Sequence, residues 1–377
     1  MQVFVSFAKQ KQDILTNAVK RRGFLESRAG PVPDPYRLYF SSLRDCEWLS
    51  HSTMDSNSDL PAGAHPGTLH FVPPSLSAFE PSKPLASSNV NTLLWIGGLF
   101  DTPLSVAYPL EIAKALGPTW SLVTGNLSSA GKSWGVSSIA QDAEEMAKLV
   151  AYFKEKRPGG KVVIMGHSTG CQDCMEYVVG AKADQRPPVD GVILQAPVSD
   201  REAMDHHMPK AFMHEANQLA LKMCREGHDK DAMPDRLVSP LFGRVAITAK
   251  RWVDIASPAP DHRGADDYFS SDLSDERLNT TFGRIPLTTP LLLLYSGNDD
   301  SVPPEVNKDD LVFRWIKIVE RNSGKVDKYN GSIVLNASHN LNGNPSSVVQ
   351  DLVKRVTGYI GRLDSGDFHV SGGSTGT

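Results

Sequence analysis

The chain has 377 residues, a formal net charge of -4, 40% hydrophobic and 22% charged residues. That composition is ordinary for a globular protein and gives a nucleic-acid partner no basic surface to bind. No apolar run reaches the length that crosses a bilayer as a helix, and Lys9 and Lys11 interrupt the N-terminus too early for a secretory leader. Four cysteines, Cys46, Cys171, Cys174 and Cys224, are too few to staple a chain of this size, so the sequence points to a reducing compartment, with the cytoplasm as the expected location.

The first 28 residues are basic, and Ile14, Leu15, Ala18 and Val19 fall at helical spacing. A surface helix is preferred over a transit peptide because Ser is scarce there. Residues 1–66 read as a partly irregular N-terminal extension with one strand-like stretch, Tyr36–Phe40. Thr68–Val72 is the next strand, and Pro73–Ser88 reads as loop. A regular rhythm follows. Strands are expected at Thr92–Ile96, Trp120–Thr124, Lys161–Met165, Gly191–Gln195, Pro290–Tyr295 and Ser332–Leu335. Helices are expected at Ser105–Leu116, Ser138–Lys156, from Thr169 onward, and at Ser346–Gly358. Short apolar strands alternating with helices predict an α/β fold: a mostly parallel central sheet flanked by helices, spanning 67–364. Residues 199–289 are too long for one crossover and are expected to insert a helical lid or cap, with helical pieces near Ala211–Cys224 and Leu241–Ile255. Residues 365–377 read as a flexible Gly/Ser-rich tail.

Gly-x-Ser-x-Gly, the signature of a nucleophile elbow, occurs three times: Gly131–Gly135, Gly166–Gly170 and Gly372–Gly376. An elbow is a sharp turn placed directly between a strand and a helix. Only the middle copy has an apolar strand immediately before it and a helix-forming run immediately after it, which selects Ser168. A serine hydroxyl needs a base, itself oriented by a carboxylate, and the α/β-hydrolase fold supplies them in the chain order Ser, acid, His on loops after late strands. His339 follows the strand at 332–335. Asp299 and Asp300 both follow the strand at 290–295; Asp299 is preferred because it stands four residues before Pro303. The expected catalytic residues are therefore Ser168, Asp299 and His339. The oxyanion donors are expected at the N–H groups of Thr169 and Leu99, the latter just past the glycine pair Gly97-Gly98. Gly98, Lys132 and Trp134 are expected to border the substrate. Ser168 excludes chemistry that needs Asp at the elbow, and the filled triad argues against a non-catalytic binding protein of the same fold. Cys171 and Cys174, one turn into the helix, read as buried thiols rather than a redox pair. The histidines show no metal-ligand spacing, and no metal or other cofactor is expected.

The segments GHSTGCQD, WIGGLFD, SGNDDSVP and ASHN together resemble a fungal family of intracellular α/β-hydrolases, the siderophore esterases of fusarinine C type, over about residues 68 to 360. The resemblance implies an α/β-hydrolase fold and a small-molecule substrate, the ester bonds of an iron-carrying hydroxamate siderophore, whose iron would be released inside the cell. Iron would then belong to the substrate. Seven acids between Asp254 and Glu276 face a single Arg263, which fits an acidic rim that attracts an amine-bearing substrate and equally fits an exposed polar loop. A lipase, a thioesterase or another carboxylesterase would use the same machinery.

Overall fold

The computed structural model describes residues 63–82 and 91–368. The expected N-terminal helix, the strand at 36–40 and the tail beyond 368 lie outside the described residues. Eight strands form one sheet: β1 (Gly67–Val72), β2 (Leu76–Pro81), β3 (Asn91–Ile96), β4 (Trp120–Asn126), β5 (Val162–His167), β6 (Gly191–Gln195), β7 (Leu291–Ser296) and β8 (Ser332–Val334). Their spatial order is β1-β2-β4-β3-β5-β6-β7-β8. The pairs from β4 to β8 are parallel, whereas β1 and β2 run antiparallel at one edge. β2 was not expected, because Pro73-Pro74 before it and Pro81 in it read as loop. As an antiparallel strand next to the edge it tolerates a terminal proline.

The central strands are buried along their whole length, which explains their unbroken apolar runs. Alternate residues go to opposite cores. Leu94, Ile164, Leu194 and Leu293 meet one helical layer. Leu93, Val163, Ile193 and Leu292 meet the other. The first layer holds α2 (Ile139–Lys156), α3 (Thr169–Val179) and α9 (Lys308–Arg321); the second holds α1 (Tyr108–Ala115) and α10 (Ser346–Ser365). Each capped start has its signature. Ser138 Oγ accepts the Gln141 N–H at the head of α2, and Asn307 Oδ1 accepts the Asp310 N–H at the head of α9.

The segment between β6 and β7 carries α4 (Asp200–His207), α5 (Lys210–Arg225), α6 (Asp235–Phe242), α7 (Ala249–Ala256) and the short α8 (Asp275–Asn279). Helices α4 to α7 share an apolar core of their own, built on Met204, Phe212, Leu237, Phe242 and Trp252, into which the main body contributes Leu99 and Trp134. The remainder of the insert returns to the body: Tyr268, Phe269, Leu278 and Phe282 pack with Trp315 of α9. The helix expected over Leu241–Ile255 is two helices, with Gly243 at positive φ ending the first. Much of the acidic stretch is paired with basic side chains. Arg251 grips Asp266, Arg201 grips Asp267 and Asp272, Lys250 pairs with Asp254, and Arg314 pairs with Asp275.

Candidate active site

β5 runs straight into α3, and Ser168 sits at the junction with φ 52° and ψ -126°. A non-glycine residue held there costs on the order of 1–3 kcal/mol, so the surroundings must enforce it. The flanking glycines allow the tight approach. A Cβ on Gly166 would strike the carbonyl of Gly170, and one on Gly170 would strike the carbonyls of Ile96 and Gly97. The Ser168 N–H is tied to the Gln195 carbonyl at 3.1 Å.

Two loops at the carboxyl ends of β7 and β8 meet this serine. Ser168 Oγ donates to His339 Nε2 at 2.8 Å, and His339 Nδ1 donates to Asp299 Oδ2 at 2.7 Å. Asp299 Oδ1 accepts the Ser301 N–H at 3.0 Å, which fixes the carboxylate's orientation. Asp299 is buried, whereas Asp300 is exposed, its backbone carbonyl lying 3.2 Å from His207 Nε2. A narrow cleft opens on Ser168 and His339, lined also by Leu99, Phe100, Val198, Asp200, Ala203, Met204, Phe242 and Ser301. Helices of the insert between β6 and β7 thus supply part of its wall.

The expected oxyanion loop lies beside the serine. Gly98 is so close that an added Cβ would stand 2.6 Å from Ser168 Cβ. Its N–H is held by Asp101 Oδ2 at 2.7 Å. Among the described residues the N–H groups of Leu99 and Thr169 donate to no acceptor, which leaves them available to an oxyanion. Trp134 is buried behind the cleft wall, edge-on to Phe100 and Phe242 at 5.4 and 5.0 Å, while Lys132 is exposed and does not line the cleft.

These contacts join a serine, a histidine and a buried carboxylate at the carboxyl ends of an α/β-hydrolase sheet, and comparison with known proteins narrows the class. The family described as protein of unknown function DUF1749 matches residues 57–361. The fusarinine C esterase sidJ of Aspergillus fumigatus is 34% identical over 346 residues, covering 80% of this chain and 98% of its own length. An esterase of Emericella nidulans is 34% identical over 353 residues, covering 79% of this chain and 93% of its own. The solved siderophore hydrolase EstB from Aspergillus fumigatus superposes with a TM-score of 0.70 at 33% identity, over 80% of this chain and 99% of that one. This chain belongs to the fusarinine C esterase family of α/β-hydrolases.

In this member of the family the electrostatics sort the charged groups by partner. Burial alone would raise the Asp299 carboxyl, but the charge and hydrogen bond of His339, with Ser301, hold it below the ordinary carboxylate value. Burial alone would lower His339, but Asp299 outweighs it by charge and hydrogen bond, with Asp300 and Asp101 adding, so its imidazolium is favoured beyond the ordinary value. His167 has only a loose carboxylate neighbour, Asp101 Oδ2 at 3.8 Å from its Nε2. Burial, and then the nearby His339, push it down to about 3, against the bond to Gln195, so it stays neutral.

Sequence reasoning missed a buried polar chain behind the site. Trp95 Nε1–H donates to Tyr108 Oη at 3.0 Å, and Tyr108 and His167 both donate to Gln195 Oε1, at 2.9 and 2.6 Å. Gln195 Nε2 donates to Ser296 Oγ at 3.1 Å and to the His339 carbonyl at 3.2 Å. A polar residue closing the otherwise apolar strand Gly191–Gln195 was the one available signal. Cys171 and Cys174 are buried free thiols raised well above the ordinary value, first by burial. Among the described residues no His/Cys/Asp/Glu cluster could hold a metal ion, and no helix is long and apolar enough to cross a membrane.

Proposed function

We propose that this protein is a serine esterase that cleaves the ester bonds of a hydroxamate siderophore of fusarinine C type and so releases its iron inside the cell. The observation that carries the reading is the unbroken chain Asp299–His339–Ser168, with links of 2.7 and 2.8 Å, at the floor of a cleft. Ser168 Oγ attacks the ester carbonyl while His339 Nε2 takes its proton. The tetrahedral oxyanion is held by the N–H groups of Leu99 and Thr169. Collapse expels the alcohol, which takes the proton back from His339, and leaves the acyl group on Ser168. Water, deprotonated by the same imidazole, then attacks the acyl-enzyme and frees the acid and Ser168. Asp299 keeps the Nδ1 proton in place and stabilises the transient imidazolium.

The siderophore assignment is supported by family membership and by what the two Aspergillus fumigatus relatives are named for. A cytoplasmic setting is supported by the free thiols of Cys171, Cys174 and Cys224. The test is incubation with iron-loaded and iron-free fusarinine C, followed by mass spectrometry. Linear trimer, dimer and monomer are expected with the wild type and not with Ser168→Ala. An intact siderophore, with turnover of simple esters retained, would remove the substrate assignment and keep the serine mechanism.

A further inference from the structure

Beside Ser168 and His339 the cleft contains one acid that the triad does not use. Asp200, the first residue of α4, follows the capping Ser199 and lines the cleft among Leu99, Phe100, Val198, Ala203, Met204 and Phe242. Its Oδ2 accepts a hydrogen bond from Gln172 Nε2 at 3.0 Å, and Gln172 is itself anchored on the Val198 carbonyl at 3.3 Å. Position is therefore fixed from α3, four residues beyond the nucleophile. Among the described residues no Lys or Arg forms an ion pair with Asp200. Arg251, the guanidinium whose charge reaches it, is committed to Asp266 through two contacts of 2.7 Å.

The wider surroundings are also short of positive charge. Arg251 faces Asp142, Asp173, Asp200 and Asp266 at once. Asp173 Oδ1 is buried without a partner. An anion in a largely apolar wall with no ion pair of its own is unfavourable unless it takes up a proton or something cationic arrives to share the cleft. Burial, and then Asp266, raise Asp200 to about 7, with Asp267 adding and Arg251 and His339 opposing. Its charge therefore develops near neutrality, and a bound cation would favour the ionised form.

We propose that Asp200 determines specificity by seating a protonated amine of the substrate, so that the enzyme selects ammonium-bearing esters over their neutral isosteres. This rests on reading the cleft as the site of a serine esterase. The interaction forms in a partly desolvated cleft, where loss of one charge of a pair costs about tenfold in affinity or more.

The experiment compares kcat/KM for two matched pairs of esters by pH-stat: methyl 6-aminohexanoate against methyl heptanoate, and 6-aminohexyl butyrate against heptyl butyrate. The first pair carries the amine on the acyl side, the second on the alcohol side. At pH 8 the wild type is expected to prefer the ammonium member of at least one pair by about tenfold or more. The preference should shrink at pH 6, where both amines remain charged and Asp200 takes up a proton. Titration of His339 cancels in the ratio, because both members of a pair use the same base. Asp200→Asn should bring the ratio down towards one at pH 8. Ratios near one in both wild-type pairs, or a preference that Asp200→Asn leaves intact, would overturn the proposal. Hydrolysis without preference removes the amine site alone; failure on all four esters also overturns the amine site, and only intact fusarinine C beside it removes the esterase reading as well.

Discussion

Replacing Asp299 by Asn separates the two adjacent acids and tests the triad's geometry at one atom. Asp299 Oδ1 accepts the Ser301 N–H at 3.0 Å and Oδ2 accepts from His339 Nδ1 at 2.7 Å. In Asp299→Asn the amide oxygen must stay on the Ser301 N–H, so the amide nitrogen faces Nδ1. An N–H there can only be accepted, which moves the imidazole proton to Nε2, facing Ser168 Oγ. The base is then blocked although its position is unchanged. The expected loss is about 10⁴-fold in kcat, equivalent to about 5.5 kcal/mol of transition-state stabilisation. KM should move little, because Asp299 does not line the cleft. Asp300→Asn should stay within about threefold of wild type, since an exposed carboxylate is largely screened by solvent and salt. Initial rates on p-nitrophenyl butyrate over a range of concentrations measure both variants. Asp299→Asn within tenfold of wild type, or Asp300→Asn as the inactive variant, would refute the reasoning.

Two further outcomes follow from the same site. His339 is raised above the ordinary imidazole value and works as a base only when neutral, so kcat/KM should rise with pH through an apparent pKa above about 6.5 and fall away on the acid side; a pH profile with a neutral ester, flat from pH 6 upward, would contradict this. Gly98→Ala should place a Cβ 2.6 Å from Ser168 Cβ and 3.0 Å from its Oγ, displacing the nucleophile and lowering kcat by about a hundredfold; wild-type kcat in a folded Gly98→Ala enzyme would show that the loop yields.

Much of this arrangement was legible because it is local. The strand before Ser168, the glycines around it and the helix after it are contiguous in the chain; the loop carrying Asp299 follows a fully buried apolar strand, and the loop carrying His339 follows the short edge strand Ser332–Val334. What was not legible depends on contacts across the fold. The last helix was expected to end at Gly358 but runs to Ser365. Gly358 is a close-approach position, where a Cβ would strike the Asn330 side chain, rather than a stop signal. The helix Lys308–Arg321 was passed over, although Leu311, Val312, Trp315, Ile316 and Val319 mark a buried stripe and Asn307 a cap. Asp200 lies in an insert whose helices face the cleft only through tertiary packing, so no sequence pattern set it apart from the fourteen other acids of residues 199–289. The same packing turned Trp134 into a support for Phe100 and Phe242 rather than a cleft residue.

The central claim is that Ser168, and not the serine of either other Gly-x-Ser-x-Gly copy, is the nucleophile. A fluorophosphonate probe followed by peptide mapping tests this directly. The account expects a single adduct on Ser168 in the wild type, abolished in Ser168→Ala and strongly slowed in His339→Ala. An adduct on Ser133 or Ser374, or labelling that survives Ser168→Ala, would contradict it.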